Sequence, residues 1–126
     1  MKMQYIYSEE APKPIGAYSQ AVKYESLIFI SGQIALNPKT NEIEGKTIEE
    51  QTKQVLKNID AILKEAGLTR NHVIKTTIYL KNINDFSKVN AIYNEFFGEH
   101  KPARATIEVS NLPKDALIEI EAIAGI

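Results

Sequence analysis

Two side chains in this sequence are suited to handling a small anion. Arg104 lies in "KPARATIEV" (101–109), two residues after Pro102, and Glu119 lies in "ALIEIEAIA" (116–124). Alternation from Arg104 puts Arg104, Thr106 and Glu108 on one side of a strand, and Ala105, Ile107 and Val109 on the other. If the last two strands pair, Arg104 and Glu119 share the polar face. The planar fork of an arginine grips a carboxylate through two parallel hydrogen bonds, and a glutamate beside it can serve as general base or hold a water. The same two residues also fit an ordinary cross-strand ion pair, and the pattern alone leaves both readings open.

Other candidates are fewer. "FISGQI" (29–34) puts Ser31 and Gly32 at a strand end, which predicts either a bulge or backbone laid bare beside a ligand. Tyr18 follows Gly16 in "PIGAYSQ" and is equally a packing aromatic or a site residue. Asn90, on a helix, faces solvent unless a partner bonds it. His72 and His100 lack metal-ligand spacing and are expected at the surface. There is no cysteine, no G-x-S-x-G turn and no phosphate-cradling glycine loop. Any reaction run here is expected to be free of metal and cofactor, and to work by positioning.

The elements that must hold these residues fit one domain, 1–126. The 15 Lys and Arg are scattered among 16 Asp and Glu, giving a net charge of −1 and no basic stripe for nucleic acid. No run approaches the roughly 20 apolar residues of a membrane span, and "MKMQYIYSEE" lacks a signal-peptide layout, so a cytoplasmic protein is expected.

Strands are predicted at 3–8, across 21–34 with a turn at Glu25-Ser26, and at 72–81, 104–109 and 116–124. A helix starts at Thr47, which forms a capping box with Glu50, shows Val55, Leu56, Ile59, Ile62, Leu63 and Ala66 on one face, and stops at Gly67. A second helix, capped by Asn84 and ended by Gly98, shows Phe86, Val89, Tyr93 and Phe96 on one face. The order β-β-β-α-β-α-β-β predicts an α+β mixed sheet with two helices on one face. The sets Ala105/Ile107/Val109 and Ile118/Ile120/Ala122 are expected under the helices. The other face would then carry Arg104, Thr106, Glu108, Leu117, Glu119, Glu121 and Ile123, and is read as a subunit interface.

These stretches resemble the RidA (YjgF/YER057c/UK114) family over essentially the whole chain. The matching runs are "EEAPKPIGAYSQ", "SGQIALNPKTNE", "VIKTTIYLKNINDF" and "PARATIEVSNLPKDALIEIEAIA". The resemblance implies a chorismate-mutase-like fold and a homotrimer with sheets inside and sites between subunits. It further implies hydrolytic deamination of 2-iminobutanoate and 2-iminopropanoate to 2-keto acids and ammonia. The implied site is Tyr18, Ser31, Gly32, Asn90, Arg104, Thr106 and Glu119. Arg104 would bind the substrate carboxylate, the Thr106 backbone the imine nitrogen, and Glu119 the attacking water. Thr106 stands where some members have Cys, and Ala17 where many have Pro. A non-catalytic carboxylate-binding regulatory trimer and a chaperone-like holdase are the alternatives. RNA cleavage, also linked to the family, finds no support in the charge or the histidines.

Overall fold

In the computed structural model, which describes residues 3–126, six strands form one mixed sheet in the order β1-β2-β3-β6-β4-β5. The strands are β1 (Met3–Ile6), β2 (Ala21–Tyr24), β3 (Leu27–Gln33), β4 (Val73–Leu80), β5 (Ala103–Glu108) and β6 (Ile118–Gly125). The helices are α1 (Ile48–Glu65) and α2 (Phe86–Phe97). The predicted element order is the observed one. β1 and β2 pair antiparallel, as do β2 and β3, at a turn where Glu25 takes φ +55°. β6 then inserts antiparallel between β3 and β4, and β5 adds parallel to β4 at the edge.

The capping box at the start of α1 is present in full: Glu50 N donates to Thr47 Oγ1 and Thr47 N donates to Glu50 Oε1. Gly67 stops the helix at φ +77°. Val55, Leu56, Ile59, Ile62 and Leu63 are buried against Ile28, Ile30, Ile118, Ile120 and Ala122 of the sheet. Val89, Tyr93 and Phe97 of α2 complete the core. The second helix enters differently from the prediction. Asn82, not Asn84, accepts from Asn84 N and caps a 3₁₀ turn at Ile83–Asp85 that leads into α2. The "LPKD" turn is a 3₁₀ turn in which Lys114 and Asp115 adopt φ of 55° and 56°.

β5 faces the opposite way from the expectation. Its register partners on β4 are Thr76 for Arg104 and Ile78 for Thr106. Thr76 and Ile78 are buried on the helix face, so Arg104 and Thr106 face the helices too. Ala105 and Ile107 face the open side, where Ile107 is exposed. The apolar set of this strand therefore lies away from the core predicted for it. The reason is topological: β5 pairs with β4 and not with β6, and as an edge strand it overhangs the buried layer.

From Ile118 on, the β6 alternation holds as predicted, with Ile118, Ile120 and Ala122 buried and Glu119, Glu121 and Ile123 on the open face. Leu117, expected on that face, precedes the strand and packs against the core instead. That face also presents Met3, Tyr5, Tyr24, Leu27 and Phe29, all exposed. No helix among the described residues is long and apolar enough to cross a membrane.

Candidate active site

The predicted site residues fall into two groups. The first is built on α2 and β5. Asn90 Oδ1 accepts from Arg104 Nη1 at 2.8 Å. The Arg104 guanidinium carbon lies 4.9 Å from the ring centroid of Tyr93 and 5.2 Å from that of Phe86. Among the described residues no carboxylate comes within ion-pairing distance of Arg104. The ion-pair reading is thus excluded within one chain: β4 separates β5 from β6, and Arg104 and Glu119 are on opposite faces. Arg104 is a cation held by neutral neighbours, which leaves donors free for an anion. It opens on a cavity of about 400 Å³ lined by Asn90, Tyr93, Asn94, Lys101 and Pro102.

Thr106 completes this group. Val109 N donates to Leu80 O at 2.9 Å. Continued down a parallel ladder, that alternation ties odd-numbered β5 residues to β4 and turns the backbone N–H and C=O of Arg104 and Thr106 to the free edge. The Thr106 Oγ1 is buried and has no hydrogen-bond partner.

The second group lies on β3, β6 and the loop before β2. The β3–β6 register shifts between Ile30 and Gln33, so the bulge predicted at Gly32 is present. The bulge also brings the Gly32 backbone close to Glu119. A Cβ at Gly32 would fall well inside contact distance of Glu119 Oε2 and 2.9 Å from its Cδ. Tyr18, Gly32 and Glu119 line one cavity of about 50 Å³ with Pro12, Ile15 and Pro113, room for a few waters at most. Burial, and then the neighbouring charge of Glu121, push the Glu119 carboxyl above the usual carboxylate range.

Ser31 and Tyr18 are spoken for locally. Ser31 Oγ donates to Ser19 O at 2.6 Å, and Tyr18 Oη accepts from Ile15 N at 3.2 Å. Gln20 was missed by the sequence reading. Fully buried, it accepts from Ser8 N and donates to Ser8, Ala11 and Pro12 carbonyls, which fixes the loop that carries Tyr18. A lone glutamine at a loop–strand junction gave no signal of this. Asn90 was expected at the solvent face and is half-buried instead. His72 Nδ1 accepts from Thr69 N in a local cap. His100 is half-buried rather than superficial, with Nε2 2.6 Å from Val73 O. No cluster of metal-ligating side chains occurs among the described residues.

Residues 8–126 match the family model described as Endoribonuclease L-PSP. A RutC family protein of Pyrococcus abyssi is 58% identical over 124 residues, 98% of either chain. The crystal structure of the Escherichia coli YjgF gene product superposes with TM-score 0.91 at 47% identity, covering 97% of this chain and 98% of that one. The structure of E. coli TdcF with bound serine superposes with TM-score 0.92 at 40% identity and 98% coverage of both.

Proposed function

This chain belongs to the endoribonuclease L-PSP (YjgF/RidA) family, and from that premise we propose that it hydrolyses small 2-imino acids to 2-keto acids and ammonia. The observation that carries the reading is Arg104: a cation with a neutral hydrogen-bond partner, two aromatic rings and no carboxylate beside it. Such a group suits a small carboxylate. The serine bound to the related TdcF is a molecule of that class.

The chemistry asks little of the protein. A protonated imine is already electrophilic, so holding it beside a water supplies much of the acceleration. Arg104 binds the carboxylate through its free donors. The free-edge carbonyl of Thr106 accepts from the iminium N–H. Glu119, ionised and set against Gly32, accepts a hydrogen bond from water and aims its oxygen at C2. The new C–O bond gives a carbinolamine. In that step the C2=N π pair moves to nitrogen and Glu119 takes the water proton, which it then passes to nitrogen. The C2–N bond breaks with its pair on the leaving ammonia, while the hydroxyl oxygen forms C2=O and gives its proton back to Glu119, so the keto acid remains. Arg104 and Glu119 serve one substrate only if they come from different copies of the chain. The apolar open face, with Tyr5, Tyr24, Phe29 and Ile107 exposed, supports an assembly through the sheets, and a homotrimer is the state we propose.

The test is imine hydrolysis by the purified protein and by Arg104→Ala. The imine is generated in situ by an amino-acid oxidase, and its survival is read by semicarbazide trapping. Acceleration by the parent and none by the variant supports the reading. An assembled parent with no effect leaves the carboxylate-binding or holding alternatives.

A further inference from the structure

We infer that Tyr93, through the bond between its hydroxyl and Thr76, is a positioning residue that fixes the Arg104 guanidinium where it meets its anion. The inference rests on the carboxylate-binding role proposed above for Arg104. Phe86, Asn90 and Tyr93 are spaced four and three residues apart, which lines them along one stripe of α2. Arg104 lies along that stripe, bonded to Asn90 and set beside both rings. Asn90 fixes only one nitrogen. The rings define the plane on which the guanidinium rests, since a cation is drawn to an aromatic face.

Tyr93 is itself fixed from two directions. Its ring meets Phe97 at 4.7 Å between centroids, and its hydroxyl lies 2.6 Å from Thr76 Oγ1. Both Tyr93 and Thr76 are buried. Thr76 is also the residue of β4 that lies directly across from Arg104 of β5. The contacts therefore close a loop: Arg104 is set by register beside Thr76, Thr76 holds Tyr93, and Tyr93 holds the far end of the Arg104 side chain. An arginine has many rotamers, and ordering it during binding weakens binding. The closed loop removes that cost before the ligand arrives.

The variants Tyr93→Phe and Thr76→Val each remove the hydroxyl bond and keep the local volume close to the parent. Thr76→Ser keeps the hydroxyl and serves as the rescue. Two readouts are taken: KM and kcat for 2-iminobutanoate, and the rotation rate of the Arg104 guanidinium by nitrogen NMR, which needs no ligand.

The expected result is a KM raised about three- to tenfold in Tyr93→Phe and Thr76→Val, with kcat within about twofold of the parent. Thr76→Ser should return to the parent value. Guanidinium rotation should be slow in the parent and fast in the two variants. Unchanged rotation overturns the inference, as does a fall in kcat with KM unaltered. If Tyr93→Phe fails to fold, the contrast between Thr76→Val and Thr76→Ser decides in the same way. Calorimetric titration with 2-oxobutanoate separates the two claims. A parent that binds the keto acid without hydrolysing imine sinks the hydrolytic reading, and Kd then replaces KM in the same comparison.

Discussion

Arg104 and Glu119 stand on opposite faces of one sheet, with β4 between their strands. Neither is idle in its place. Arg104 is braced by Asn90, Phe86 and Tyr93, and Glu119 is laid against the bare Cα of Gly32. Within one chain the two side chains therefore cannot reach one small molecule together.

Asn90→Ala should leave Arg104 tethered by the rings alone. Losing one hydrogen bond to a charged group costs about 1.5–3 kcal/mol, much of it recovered here by water at an open cavity. KM for the imino acid is expected to rise about five- to tenfold with kcat little changed. Steady-state kinetics on the variant checks this, and an unchanged KM would remove Asn90 from the site.

Gly32→Ala places a methyl group where the Glu119 carboxylate lies. The carboxylate must swing away, because the backbone at Gly32 is fixed by the bulge. The variant should fold and lose about tenfold or more in kcat, as expected for a displaced catalytic group. Activity and melting temperature measured together separate displacement from unfolding.

Glu119 has its pKa raised by burial and by Glu121. The folded protein therefore holds a proton at a pH where the unfolded chain has lost it. Stability contributed at this position is greatest below the ordinary carboxylate pKa and falls as pH rises through the folded value. Glu119→Gln should accordingly melt above the parent at pH 7, with the gap closing toward about pH 4. The same variant should be inactive at both. Thermal melts across this range test the sign.

Thr47→Ala removes the cap of α1 and leaves Glu50 N without its partner. A loss of about 1 kcal/mol is expected, or about 3–6 °C in Tm for a domain of this size. The imine activity at 25 °C should not change, since the cap touches no site residue.

How far the sequence could be read differs from element to element. α1 was legible because its signals are local: Thr47, Glu50, the apolar stripe and Gly67 act within a turn of one another. The Gly32 bulge was legible because a glycine inside a β-branched run has few other uses. The facing of β5 was not. Its polar and apolar faces were plain in the sequence, but which of them met the helices depended on whether its neighbour was β6 or β4, a long-range matter that alternation does not encode. The capping asparagine was displaced from Asn84 to Asn82 because both are fit to cap, and a 3₁₀ turn comes between that cap and α2. The stripe of Phe86 and Tyr93 was visible as an apolar face, yet its second use as a bed for Arg104 required the β5 register.

The most direct test of the account is complementation between two inactive chains. Arg104→Ala and Glu119→Gln are purified apart, mixed in equal amounts, co-refolded and assayed for imine hydrolysis. Each keeps the half-site that the other lacks. If a site draws Arg104 from one copy and Glu119 from its neighbour around a closed ring, random mixing should restore about one quarter of the parent activity. A mixture that assembles like the parent and stays as inactive as its components would contradict a site shared between copies.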